Sequence, residues 1–236
     1  MKYFYINLDN ANERRSHIET EFMRHSCKFH RVEAIHFTEF MPKNETPNSL
    51  KNAKETACHK SHMKAIKEFI DSNDEYGVIC EDDLTYDYKP YWKCDPEELI
   101  KQMPTDTGVI QLCVIYSAIN RDRIWHEQPT FFKWGTIPHV GSCLAYIITR
   151  KCAIELYNYF ESLPKQNSIL PPADSTRGIY GNVNTHTNYV TYTYKYPMFT
   201  YRDNNDTQLG NCLNNQESSK RQVHYFLTHF NVENKI

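Results

Sequence analysis

Gly77-Val78-Ile79-Cys80-Glu81-Asp82-Asp83 is the stretch on which the reading of this chain turns. Four small or apolar residues make a short buried strand, and three carboxylates follow it without an intervening turn residue. A polar stretch of this kind directly after an apolar strand is where open α/β sheets place their ligands, outside the carboxyl ends of the strands. Grouped carboxylates repel one another and need a compensating cation. A divalent ion with hard oxygen ligands meets that need and can at the same time hold a diphosphate. The competing reading of Glu81-Asp82-Asp83 is an acidic turn facing water, which the apolar lead-in argues against.

Working outward, the neighbours support a sheet. Lys2–Leu8 reads as a first strand, and Asn12 can cap a helix over Glu13–His25 with Ile18 and Phe22 on its inner side. Phe29–Ile35 reads as a second strand and Pro42–Ser49 as a loop. Lys51–Asp71 is the strongest helix, since Ala53, Ala57, Ala65, Ile66, Phe69 and Ile70 recur at a helical period. Beyond the acidic stretch come a short helix over Pro96–Met103, a buried strand over Gly108–Tyr116, another over Cys143–Thr149, and a helix from Arg150 to about Leu163. Strands alternating with helices predict an α/β protein, a three-layer sandwich around a central, mostly parallel sheet. The last 60 or so residues are rich in Asn and Tyr with weak periodicity, and read as loops and short strands.

The whole chain bounds this picture. Its 236 residues suit one domain, with residues 1–115 and 116–236 as its two halves, and 40% apolar with 24% charged residues suits a globular protein. A net charge of -2 gives no electrostatic reason to bind nucleic acid. Aromatic residues make up 14%, with 17 tyrosines, a side chain that stacks on sugar C–H faces and bonds sugar hydroxyls. The 8 cysteines form no CxxC pair, and Cys80, Cys113 and Cys143 sit in apolar runs, so reduced buried thiols are expected. No signal-peptide pattern and no spanning apolar run are visible, which points to the cytoplasm. The Asn/Lys/Tyr/Ile-rich composition suggests an AT-rich microbial or viral genome and, for a virus-encoded chain, action in the host cytoplasm. The sequons at Asn44 and Asn205 are what chance supplies.

Several other residues are candidates for chemistry. His59 and His62 lie three apart on the long helix, off the HExxH zinc spacing. His62 reads as a donor to a phosphate or nucleotide, and His59 as a solvated surface residue. Asn7-Leu8-Asp9 ends the first strand, and Arg14-Arg15 opens the next helix within reach of a base or phosphate. Asp174, after Pro171-Pro172-Ala173, and Asp203 or Asp206 could each serve as a general base, or equally as turn residues.

Taken together, four of these stretches and one more resemble glycosyltransferase family 25, which includes bacterial lipooligosaccharide galactosyltransferases and animal collagen galactosyltransferases. Tyr5-Ile6-Asn7-Leu8-Asp9 with Glu13-Arg14-Arg15 looks like the family's opening, and Arg31-Val32-Glu33-Ala34-Ile35 like its second strand. Glu55 to Ala65 keeps Glu55, Cys58, Ser61 and His62 of a segment that usually reads G-E-x-G-C-x-x-S-H, with Thr56 and Ala57 as departures. Val78–Leu84 resembles its metal motif. Gly141–Ala153 resembles a later G-x-x-A-Y-x-x-S-R-K-x-A stretch, with Thr149 where Ser is common. The likeness runs over roughly residues 3–175.

The resemblance implies a GT-A fold, a UDP-hexose donor (galactose first, glucose second), Mn²⁺ or Mg²⁺, inversion at the anomeric carbon, and a glycan or glycoprotein acceptor, in lipopolysaccharide or other glycan biosynthesis. It implies Asp83 as the direct metal ligand, Glu81 and Asp82 toward the donor's ribose and sugar hydroxyls, and Asn7, Leu8, Arg14, Arg15, Ser61 and His62 around the donor. Asp174 is the candidate base. The protein could be a homodimer. One alternative is a non-catalytic member that binds nucleotide sugar or glycan. Another is a hydrolase or nucleotidyltransferase on a similar sheet, although no glycine precedes Gly77 to make a phosphate loop.

Overall fold

Alternating side chains in the first strand point to two different cores. In the computed structural model β1 (Lys2–Asn7) sends Tyr3 and Tyr5 to one side of the sheet and Phe4 and Ile6 to the other. The structure describes residues 1–44, 46–116, 120–121, 123–138, 140–164, 169–196, 198–202 and 212–229, with side chains in the last segment only at 217, 220–228. Asp203, Asn205 and Asp206 lie outside the described residues.

β1 pairs in parallel with β2 (Lys28–Glu33) and β3 (Tyr76–Glu81). The sheet continues through β7 (Ala145–Thr149), β5 (Thr107–Gln111), β8 (Val190–Tyr194) and β6 (Phe131–Lys133), in the order β2-β1-β3-β7-β5-β8-β6. β7 and β6 run against the other five strands, so the seven-stranded sheet is mixed but mostly parallel in direction. A small second sheet pairs β4 (Leu84–Thr85) with β9 (Thr200–Tyr201).

Helices cover both faces, as the alternation of elements predicts. Ile18 and Phe22 of α1 (Asn12–Arg24) and Leu99 of α3 (Pro96–Gln102) join Tyr3, Tyr5, Val78 and Ile147 on one side. On the other, α2 (Pro47–Ser72), α4 (Arg150–Ser162) and α5 (Ile179–His186) bring Ile66, Phe69, Leu156 and Tyr180 onto Phe4, Ile79 and Ile148. Phe226 of α6 (Cys212–His229) closes a third cluster with Trp125 and Phe132.

Some boundaries differ from expectation. Asn12 is the first helical residue and Ala11 holds the cap position, without a side-chain cap bond. α2 starts earlier, at Pro47, because Thr46 and Ser49 exchange hydrogen bonds in a capping box. β5 stops at Gln111, Leu112 N–H still bonds the Ala145 carbonyl of β7, and further on Ile115 bridges to Gly141. The region read as loops and short strands carries two helices, α5 and α6, besides β8 and β9. Cys80, Cys113 and Cys143 are buried, and the seven cysteines with described side chains are free. Among the described residues, no helix is long and apolar enough to cross a membrane.

Candidate active site

The parallel register sets the site. Ile6 lies opposite Glu81, so the carboxyl ends of β1 and β3 sit side by side and Asn7 reaches the acidic turn. Asn7 Nδ2 donates to Asp82 Oδ2 at 2.7 Å and to the Ala11 carbonyl at 3.2 Å. Arg14, on the first turn of α1, is buried and pairs with Asp82. Its NH2 also lies 3.2 Å from Asp83 Oδ2. One guanidinium thus faces two buried carboxylates, with Glu81 next to them in the chain.

That charge balance leaves the cluster short of positive charge. Burial pushes the Asp83 carboxyl up to about 7 against the pull of Arg14, and Glu81 and Asp82 add to the rise. Burial likewise raises Asp82, opposed by Arg14 and by the Asn7 hydrogen bond. Asp83 Oδ1 is buried with no hydrogen-bond partner. A buried carboxylate oxygen without a donor is costly unless a proton or a cation completes it. The donor set, hard carboxylate oxygens in a cluster with excess negative charge, fits a divalent ion such as Mn²⁺ or Mg²⁺.

These groups open onto a cavity of about 880 Å³, within the ~300–1,000 Å³ usual for small-molecule sites. Leu8, Arg14, Ser61, His62, Glu81, Asp82, Asp83 and Asp174 all line it. The structure therefore brings together most of the candidate residues from β1, α1, α2, β3 and the 171–176 segment.

The others are placed differently. Asn7 is buried behind the lining and holds Asp82. Arg15 turns outward to Glu19, Nε to Oε1 at 3.2 Å. Ser61 is on the wall, but its hydroxyl accepts from Ile35 N–H at 2.8 Å and donates to the Ala57 carbonyl at 2.7 Å. His62 Nε2 lies 3.3 Å from Glu81 Oε1 and Nδ1 lies 3.2 Å from Tyr146 OH. Burial pushes Glu81 upward, but the His62 hydrogen bond and the charges of His62 and Arg14 outweigh it and hold the carboxyl low.

The reading of His59 as a solvated residue is corrected: it is 0% exposed. Nδ1 is 2.8 Å from the Pro171 carbonyl, and burial lowers the imidazole to about 4. With Thr56 Oγ1, which accepts from Leu170 N–H at 3.1 Å, it fastens the segment leading to Asp174 onto α2. Asp174 Oδ2 accepts from Ser142 N–H at 2.9 Å. A Cβ at Gly141 would lie 2.8 Å from that oxygen, so only glycine lets the carboxylate come this close.

Ser142, Tyr201 and Trp134 on the wall were not singled out in the sequence. Ser142 has φ 101°, a strained value for a non-glycine residue. Its hydroxyl lies 3.0 Å from Tyr201 OH, and its carbonyl accepts from Tyr180 OH at 2.9 Å and from Gln111 Nε2 at 3.1 Å. The only sequence signal at this point was the glycine before it.

The model of glycosyltransferase family 25 (LPS biosynthesis protein) matches residues 1–176, ending just after Asp174. No curated protein sequence matches the chain. Among solved structures, a glycosyltransferase involved in the glycosylation of the major capsid of PBCV-1 superposes with a TM-score of 0.44 and 10% identity, covering 94% of this chain and 98% of that one. A nucleoside-diphosphate-sugar pyrophosphorylase from Vibrio cholerae does so at 0.42 and 10% identity, covering 95% and 81%. A putative glucose-1-phosphate thymidylyltransferase from Bacillus anthracis does so at 0.41 and 12%, covering 94% and 74%.

Proposed function

Because the chain belongs to glycosyltransferase family 25, we propose that it transfers a hexose, galactose in the first place and glucose in the second, from a UDP-sugar to an acceptor hydroxyl with inversion. The observation that carries this reading is the buried, unpartnered Asp83 Oδ1 in an acidic cluster on the wall of a cavity large enough for a sugar nucleotide.

Asp83 would hold the divalent ion, with Asp82 kept in place by Arg14 and Asn7. Such an ion, when bound, offsets the charge that develops on a diphosphate leaving group. The protein's own residues do the rest. Arg14 holds Asp82 and Asp83 close together and lowers both carboxyls against the larger effect of burial, without closing Oδ1. Glu81, at the end of β3, faces the donor's hydroxyls from the cavity wall. Asp174 is oriented by the Ser142 N–H on one oxygen, leaving its other oxygen to take the proton of an acceptor hydroxyl. As that hydroxyl oxygen bonds to the anomeric carbon, the bond from that carbon to the UDP oxygen breaks with its electron pair leaving on UDP. Attack from the side opposite UDP inverts the centre. The acceptor class proposed is a glycan or glycoprotein hydroxyl.

The test is UDP release from UDP-galactose and UDP-glucose, with Mn²⁺, against a panel of glycan acceptors. Acceptor-dependent release by the parent chain and its loss in Asp83→Ala are expected. Release that is unchanged in Asp83→Ala defeats the assignment of that residue. UDP binding without turnover on any acceptor would favour a non-catalytic member of the family.

A further inference from the structure

Cys58 and His62 lie one helical turn apart on α2 and face the same way, toward the last residue of β3. Their ligand atoms and a carboxylate oxygen of Glu81 all fall within 4.8 Å of one another. We propose that Cys58 Sγ, His62 Nε2 and Glu81 Oε1 form a Zn²⁺ site, separate from the oxygen site at Asp83, with its fourth position open to the cavity.

The geometry is close to what the metal needs. Zinc bonds of about 2.0–2.3 Å arranged tetrahedrally place N and O ligands about 3.3 Å apart and S and O ligands about 3.5 Å apart. The structure has Nε2 3.3 Å and Sγ 3.8 Å from Oε1, within a few tenths of an ångström of those spacings, and Sγ and Nε2 lie within 4.8 Å of each other, so a side-chain adjustment of Cys58 or His62 closes the set. As direct contacts these are long: the first is past the usual range of an N–H···O bond, and the second is a weak thiol contact. If Nδ1 donates to Tyr146 OH, Nε2 presents a lone pair to a carboxylate oxygen, and a proton or a metal ion must lie between them.

The surroundings fit a metal-binding imidazole. Tyr146, fully buried, bonds the other ring nitrogen at 3.2 Å and stacks on the ring, which fixes its orientation. Cys58, His62 and Glu81 all line the cavity, so a water or a ligand group can take the remaining position. A thiolate, an imidazole and a carboxylate together favour zinc over the magnesium or manganese that suits Asp83. Zinc held by Glu81 would sit on the donor side of the cavity and would block transfer, so the site is inhibitory if the transferase reading holds. Its existence does not depend on that reading.

The test is titration of the full chain with Co²⁺, a spectroscopic stand-in for zinc. A thiolate-to-cobalt charge-transfer band with tetrahedral d–d absorption is expected, displaced by one equivalent of Zn²⁺. It is expected to persist in Asp83→Ala, to vanish in Cys58→Ser, and to need at least about tenfold more metal in His62→Gln. A missing band, or one that survives in Cys58→Ser, overturns the proposal. Should Cys58→Ser not fold, zinc protection of the parent chain decides. Alkylation of Cys58, read by peptide mass spectrometry, is expected to slow at least tenfold with zinc, and equal rates with and without it overturn the site. Inhibition of UDP release is a separate readout, so failure of the transferase reading leaves the cobalt result intact.

Discussion

A single guanidinium decides how the acidic turn can exist. Arg14 and Asp82 are buried together, and Asp83 shares the same guanidinium. Removing one member of such a buried group leaves uncompensated charge, a loss of about 3–5 kcal/mol. Arg14→Ala is therefore expected to lower the unfolding free energy obtained from urea titration by that amount at pH 8, and by less at pH 5, where protonation relieves the repulsion. A loss that does not vary with pH would contradict the charge account. Asp83 itself gives a second expectation. Its carboxyl is raised to about 7 in the folded chain against about 3.9 when unfolded. Between those values the folded state binds more protons, so Asp83's contribution to stability is full below pH 4 and is lost as pH rises through 7. Relative to the parent, Asp83→Asn is expected to gain stability across that window in metal-free buffer, as read by urea unfolding at pH 4 to 8. No relative gain would show that Asp83 is not desolvated.

At the scale of elements, α2 matters more than its composition suggests. It is buried against the sheet through Ile66 and Phe69 and against the 169–171 segment through Thr56 and His59. A helix enclosed on two sides has no single polar face, which is why His59, flanked by Cys58 and Lys60, reads as solvated in the sequence. Its imidazole is lowered by burial to about 4. The unfolded chain takes up a proton near pH 6.5 and the folded chain does not until about 4, so the stability His59 contributes is present above 6.5 and is lost as pH falls through 4. His59→Gln keeps a donor for the Pro171 carbonyl but has no titration. The parent's urea midpoint is expected to fall more steeply than the variant's between pH 6.5 and 4, and parallel curves would refute the account. The turn at Gly141 is the second sensitive element. Gly141→Ala puts a Cβ against Asp174, the proposed base, and misplacing a reacting group by about 1 Å is worth on the order of 10²-fold in rate. The expected signature is a lower kcat with an unchanged KM for the donor. Unchanged kcat would remove Asp174 from the reaction.

Across the whole molecule, the half of the fold whose strand ends line the cavity was legible because its signals are local. β1, β3 and β7 are short apolar runs, and the three carboxylates follow β3 directly. The other half depends on partners distant in sequence. β8, Val-Thr-Tyr-Thr-Tyr, is a strand because it lies between β5 and β6, and α6 gains an inner side by packing Phe226 on Trp125 and its neighbours. Within the site, Asp83 and Asp174 could be picked out by residue type and position. The strained backbone of Ser142 and its bond to Tyr201 could not, since they arise only when the strand ends are assembled. Arg14 was picked out as a nucleotide contact, whereas the fold first uses it to hold the acidic turn.

The account stands on the proposed divalent-cation site at Asp83 within that cavity. Calorimetric titration of UDP into the full chain, with and without Mn²⁺, and into Asp83→Asn with Mn²⁺, tests it most directly. Binding in the parent that requires the metal and disappears in Asp83→Asn is the predicted result. Equal UDP affinity with and without manganese, or unaltered binding in the variant, would contradict it.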